Sequence, residues 1–404
     1  MSTSVLIVDA DLSAAENLAA DLRAVRPGWT TTIAASADDA RAAAGQADAD
    51  AIVADLSHGG GDGLKLLSEF SLICPRAVRI ALSAHAGPEH VLGTVGVAHR
   101  FVARPFGGEA LAQAIERSLA VARLLADDRL ERMASRLGSL PAMPSIYEKL
   151  IAALRSPDAS LKEIGDIIAT DAAMTSHILR LVNSAHLGLM REISNVGMAV
   201  NYLGVMTVSS LALGLHVFDA CDAETLARLK LAQLWNTSFT TGAFARVIAQ
   251  HQGLPTNETD DAFTAGLLHG CGRLVLASNL EEDYLKVIDL AAAEKVQVSR
   301  VESRELGFSH CEAGALMLAR WGLSSAIIEA VAYHLEPAET PHGAFIPLTA
   351  VHVASALATQ PPHRWVETPA GIDLEYLGRL GLEESLAEWI DACREVVDLE
   401  RVSG

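Results

Sequence analysis

The chain reads as an α/β domain, residues 1–122, followed by a larger all-helical region. Three observations predict this. Short apolar runs that each end in a polar residue alternate with helical stretches in the first part. Beyond it, apolar residues recur at helical spacing in one stretch after another. Ala and Leu dominate a composition that is 50% apolar and only 5% aromatic, which favours helices. A length of 404 residues suits two or three domains with a large core.

The first part is built from Val5–Val8 ending in Asp9, Ala51–Ala54 ending in Asp55, Ala77–Leu82 ending in Ser83, and Phe101–Ala103 ending in Arg104-Pro105. Helical stretches lie between them at Ser13–Val25, Ala37–Gln46 and Gly63–Ile73. Strands alternating with helices imply a doubly wound parallel sheet, and such a sheet gathers the polar residues at its carboxyl edge. From Gly107 to Arg136 the pattern predicts one nearly unbroken helix, residues 107–135 forming a stiff connector, ended by Gly138 and Pro141. Residues 136–404 then show helices at Ile146–Leu154, Leu161–Ala169, Met174–Ser184 and from Val196 onward. Past Pro361-Pro362 the sequence predicts two short helices, around Leu374–Leu380 and Glu384–Val397. Leu335–Ile346, with Pro and Gly, is expected to be an exposed connector.

Charge and cysteine usage narrow the function. The net charge is -19, from 50 acidic and 31 basic residues. Such a surface repels phosphate backbones, and there is no basic cluster to overcome this, so nucleic acid is not an expected partner. The five cysteines are odd in number, scattered and without CxxC spacing, which suits reduced thiols and a cytoplasmic location. No basic segment precedes the first apolar run, so no signal peptide is expected. Val196–Phe218 is long and free of Asp, Glu, Lys and Arg, but it carries Asn201, Thr207, Ser209 and Ser210 and has no basic flank. It reads as a buried helix or helix pair, not a membrane span.

The first part resembles a response-regulator receiver domain, whose fold is a five-stranded, flavodoxin-like sheet. The resemblance places the phosphoacceptor at Asp55, with Ser57 and the turn to Asp62-Gly63 after it. It places the switch hydroxyl at Ser83, the switch aromatic at Phe101 and the basic residue at Arg104. Two departures matter. The acid pair after the first strand reads Asp9-Ala10 with Asp11 one place on, and a lysine is replaced by Arg104. Magnesium tolerates missing oxygen ligands poorly, so only weak binding at Asp9, Asp11 and Asp55 is expected. The resemblance implies a sensor histidine kinase as input partner and admits a homodimer through the face bearing Phe101.

The second part resembles the HDOD domain, an all-helical signalling module related to HD and HD-GYP phosphohydrolases. The resemblance rests on Leu140-Pro-Ala-Met-Pro144, Ile178–His186, Ile193–Gly204 and Thr264–Leu276. It maps the metal positions of the HD relatives onto Thr237, His269, Gly270, His310, Tyr333, His334 and His352. Four histidines survive, but no carboxylate, and a binuclear phosphodiesterase centre needs one. No metal is therefore expected there, and Cys271 and Cys311 are read as small buried hydrophobes. The implied function is a receiver regulating a non-catalytic output domain that binds a protein partner. The alternative is a metal-dependent phosphodiesterase acting on a cyclic (di)nucleotide.

Overall fold

The computed structural model describes all residues except 1–2, 47–48, 57–62, 85–90, 92, 138–139, 156–159, 188–192, 220, 222, 230, 232, 341–342, 366–368 and 404. Ser57, Asp62 and Gly138 therefore lie outside the described residues. The chain divides into two compact units, residues 1–126 with 322–325, and residues 127–321 with 326–404.

The first unit is a five-stranded parallel sheet: β1 (Ser4–Val8), β2 (Thr30–Ala34), β3 (Ala51–Asp55), β4 (Val78–Ser83) and β5 (Arg100–Ala103), in the order β2-β1-β3-β4-β5. That order is the doubly wound arrangement with its switch point between β1 and β3. β2 is not among the apolar runs of the sequence. As an edge strand it needs only one covered side, and its Thr-Thr-Thr start is accordingly polar. Alternate strand residues feed two cores. Val5, Ile7, Val53, Ile80 and Leu82 pack with the helices Leu12–Val25 and Gly108–Leu125. Leu6, Val8, Ile52, Ala54 and Ala81 pack with Ala37–Gln46 and Gly63–Ile73. The register pairs Val8 with Ala54, and Ser83 with Ala103. Asp9 and Asp55, and then Ser83 and Arg104, consequently emerge at one edge of the sheet.

The expected single helix from Gly107 to Arg136 is two. The first ends at Leu125, capped by Ala126, and the second runs Asp128–Leu137. Asp127 starts the second: its side chain accepts a bond from the Arg129 N–H at 2.7 Å and its carbonyl from Leu130 at 2.8 Å. An aspartate N-cap restarts a helix where an uncapped sequence would have continued it. Leu130, Met133 and Leu137 are buried within the second unit, so this helix is part of that unit's core and not a free rod.

Among the described residues, every regular element of the second unit is a helix. Two close crossings fix its centre. Helices Leu234–His251 and Thr256–Leu268 meet at Gly242 and Gly266, where a Cβ on Gly266 would stand 2.8 Å from the Gly242 Cα. Helices Cys271–Asn279 and His310–Arg320 meet at Gly272 and Gly314, where a Cβ on Gly272 would run into the His310 carbonyl. The apolar helix Val196–Asp219 is broken at Gly204, whose φ of 83° is left-handed. By length and composition it could cross a membrane, but 72% of its apolar window is buried inside the protein. The C-terminal helix Ser385–Ser403 is longer than expected, and the 335–346 segment is not simply exposed, because Pro337, Thr340 and Ile346 are buried.

Candidate functional site

At the sheet edge, Asp9 and Asp55 are both buried. Arg104 spans them: its guanidinium lies 3.1 Å from an Asp9 oxygen and 3.2 Å from an Asp55 oxygen. Its planar fork suits two carboxylates at once, which a lysine ammonium would meet as a point charge. Burial raises the Asp9 pKa above the ordinary carboxylate value. The Asp11 N–H, donating to Asp9 at 3.0 Å, and Arg104 oppose that rise, whereas the negative Asp55 adds to it. Asp11 itself caps the helix Leu12–Val25, one carboxylate oxygen accepting from Ser13 and Ala14 at 3.0 and 3.1 Å. Ser83 and Phe101 are buried at the same edge. The donors fit a hard cation only in part. Two carboxylates converge, but Arg104 already occupies their facing oxygens and Asp11 is engaged as a cap.

In the helical unit, His269, His310 and His334 line one cavity of about 680 Å³, together with Thr237 and Gly270. His269 caps the C-terminus of Thr256–Leu268, so the Gly242–Gly266 crossing sets its depth. His310 is the first residue of its helix, held there by a capping box between Ser309 and Glu312, with the Ser309 N–H donating to Glu312 at 2.7 Å. Each ring is tied back through Nδ1. His269 donates to the Gly266 carbonyl at 2.7 Å and His334 to the Val331 carbonyl at 3.0 Å. His310 donates to Glu302 at 2.6 Å. The ring centroids of His269 and His334 are 5.1 Å apart, and those of His310 and His334 are 6.3 Å apart.

Their electrostatics differ. Burial pushes the His269 pKa down to about 4 and that of His334 well below its ordinary value, so both are neutral near pH 7. For His310 burial opposes the charge, but Cys311 and Glu302 outweigh it and carry the pKa up to about 10. Glu302 is fully buried, and although burial works against its ionisation, His310 and the Tyr284 hydroxyl hold it below the usual carboxylate value. Arg273 extends the network by donating to the Tyr284 oxygen at 3.2 Å.

His352 is expected by resemblance to join this group and does not. Its Nδ1 donates to the His334 carbonyl at 2.7 Å, and its Nε2 accepts from the Asp373 N–H at 2.8 Å. Both nitrogens are spent, which makes it a buried strut. Tyr333 is not among the residues lining the cavity, although its neighbour His334 is. Gly270 offers no ligand atom, and a Cβ there would stand 2.9 Å from the tip of Leu234 and 3.1 Å from the Ser238 hydroxyl, so any side chain at this position needs those two to shift. Among the described residues, no Asp or Glu lines the cavity. The residues thus do not fit a carboxylate-bridged binuclear metal centre. His310, Cys311 and His334 do bring potential ligand atoms within 4.8 Å of one another. Glu302 and Arg273 are the residues that sequence reasoning missed.

The sheet order and the cluster of acids with a basic residue at its carboxyl edge define a receiver-type domain; the second unit is a helical domain with a histidine-lined cavity. Residues 140–337 match the model of the HDOD domain. Residues 140–337 are thus similar to the HDOD domain, and the first unit has a receiver-like fold. An HDOD domain protein from Geobacter sulfurreducens superposes with a TM-score of 0.51 at 23% identity, covering 68% of this chain and 99% of its own. A CheY-like response regulator receiver domain protein from Methanospirillum hungatei aligns at 20% identity over 30% of this chain and 98% of its own, with a TM-score of 0.29. An uncharacterized protein of Treponema pallidum is 28% identical over 205 residues, 50% of this chain, and the match spans only 39% of that relative's length.

Proposed function

We propose that the protein is a signal-transduction component in which the receiver domain takes the input and the HDOD domain acts by binding a protein partner, without hydrolysis. One observation carries the second half: three histidines converge on the cavity, yet among its described lining residues there is no carboxylate to bridge two metals, and Gly270 supplies no ligand atom. Hydrolysis of a phosphodiester at such a centre needs the metals to generate and hold the attacking hydroxide. The test is elemental analysis of purified protein together with turnover of a cyclic dinucleotide. Neither stoichiometric transition metal nor turnover is expected. Stoichiometric metal, with turnover that disappears in His269→Ala, would establish the phosphodiesterase alternative.

For the receiver, Asp55 is the proposed phosphoacceptor and a histidine kinase the proposed donor. Asp9 and Asp55 are the residues that would hold a magnesium ion, whose positive charge would offset that of the phosphoryl group. Arg104 competes with it for the same oxygens, so phosphorylation from a small phosphodonor is expected to be slow and only weakly magnesium-dependent. Ala10→Asp adds a carboxylate at the edge. A unit charge about 4 Å away contributes roughly 1–4 kcal/mol between water and a protein-surface dielectric. About tenfold tighter magnesium binding is therefore expected by titration. Fast, strongly magnesium-dependent labelling of the wild type would show that Asp11 leaves its capping role and acts as the missing ligand.

A further inference from the structure

Among the described residues, the cavity wall carries a charge opposite to that of the chain. The protein carries 50 acidic residues in 404, so a wall of this size would hold about two at average composition. Among the described residues it holds none, but it holds Arg273, Arg364 and the three histidines. The Glu302–His310 pair behind the wall is neutral overall, which leaves the two guanidinium groups as the net charge. Three amides, Gln233, Gln297 and Gln360, complete the polar lining.

The histidines add a second kind of recognition. Because His269 and His334 commit their Nδ1 protons to backbone carbonyls, each presents a bare Nε2 as an acceptor. His310 is tied to Glu302 through Nδ1, and its Nε2 is the remaining donor position. The wall therefore combines cationic donors, which match phosphate oxygens, with neutral acceptors, which match hydroxyl groups. A volume of about 680 Å³ lies within the ~300–1,000 Å³ of small-molecule sites.

We infer that this cavity is a metal-independent receptor for a phosphorylated, hydroxyl-bearing small molecule of nucleotide size, its phosphate held by Arg273 and Arg364 and its sugar hydroxyls by His269 and His334. The inference rests on the reading of the HDOD domain as a binding module. Free nucleotides and sugar phosphates share this chemistry, and the choice of probes separates them.

The experiment is calorimetric titration of the full chain in excess EDTA with AMP, a cyclic dinucleotide, ribose phosphate and adenosine. A phosphorylated probe is expected to bind and adenosine not to. Binding of ribose phosphate as tight as that of the nucleotides identifies a sugar phosphate as the ligand, whereas preference for AMP or the cyclic dinucleotide identifies a nucleotide. Each of Arg273→Gln and Arg364→Gln removes one charged hydrogen bond and should weaken binding about tenfold or more. Arg364 lies on a short 3₁₀ turn with its side chain outside the core, so its variant keeps the test valid if Arg273→Gln disturbs Tyr284 and the fold. Three results overturn the inference: no binding of any phosphorylated probe at millimolar concentration, adenosine binding as tightly as AMP, or binding abolished by EDTA. The two readings also fail separately. Consumption of a probe when a divalent metal replaces the EDTA, with binding intact in EDTA, refutes the non-hydrolytic reading and leaves the ligand class standing. Absence of binding with no hydrolysis does the reverse.

Discussion

Gly272→Ala is expected to destabilise the helical domain by about 3 kcal/mol or more, a large part of an ordinary domain's ~5–15 kcal/mol. A methyl group there would run into the His310 carbonyl and stand 2.6 Å from the Gly314 amide nitrogen. Both are backbone atoms of a helix, so no side chain can swing aside. The partner position is less tight: a Cβ on Gly314 would lie 3.1 Å from the Cys271 sulfur and 3.2 Å from the Gly272 amide nitrogen. Relief requires the helices Cys271–Asn279 and His310–Arg320 to move apart, which also carries His310 away from His269. Urea unfolding followed by circular dichroism measures the cost, with Gly343→Ala, which meets nothing within 4 Å, as a near-neutral control. A loss below about 1 kcal/mol, similar to the control, would mean the two helices do not cross at this distance.

Glu302→Ala should be comparably damaging, at about 3–5 kcal/mol, the usual cost of removing one partner of a buried ion pair. The carboxylate accepts from the His310 amide at 2.8 Å, from its Nδ1 at 2.6 Å and from the Tyr284 hydroxyl at 3.0 Å. All three donors lose their acceptor together. Glu302→Gln keeps the volume and isolates the charge, and its signature is a change in pH dependence. The folded-state pKa of His310 is raised from 6.5 to about 10, so its contribution is complete below about pH 6.5 and is lost as pH rises through 10. That of His269 is lowered to about 4 and that of His334 lies well below 6.5, so stability is also lost as pH falls from 6.5 towards 4. The depressed Glu302 pKa acts in the same direction at still lower pH. Urea midpoints should therefore peak near pH 6.5, and Glu302→Gln should flatten the alkaline limb while leaving the limb set by His269 and His334. An unchanged alkaline limb would show that Glu302 does not hold the His310 proton.

Much of the fold was legible because its signals are local. An apolar run ending in Asp9, Asp55 or Ser83 is a strand delivering a polar group to a sheet edge, and the register confirms it. The break after Leu125 was also encoded locally, in the Ala126-Asp127-Asp128 step, but good helix formers on both sides masked a cap whose bond is seen only in three dimensions. The candidate site was legible in part. His269, His310 and His334 do converge. His352 does not, because the Asp373 amide 21 residues away takes its lone pair, and nothing in the sequence near His352 announces that. Glu302 was missed for a related reason. In a stretch reading Val298-Ser-Arg-Val-Glu-Ser-Arg-Glu-Leu306 it looks like a solvated helix residue, and only packing against Tyr284 and His310 shows it to be interior.

The left-handed turn at Gly204 has a consequence measured in length. At 1.5 Å per residue an unbroken helix from Val196 to Asp219 would be about 36 Å long, enough to cross the ~30 Å hydrocarbon core of a bilayer. Divided at Gly204, its longer straight piece, Val205–Asp219, reaches only about 22 Å. The two pieces also serve different neighbours. The first lies against the helix Leu161–Ala169, where a Cβ on Gly165 would stand 3.3 Å from the Gly197 Cα. The second lies against Thr256–Leu268, through the bond between the Ser210 and Thr264 hydroxyls at 2.6 Å. One glycine thus converts a sequence of membrane-span length into two interior staves, each committed to its own side of a protein core.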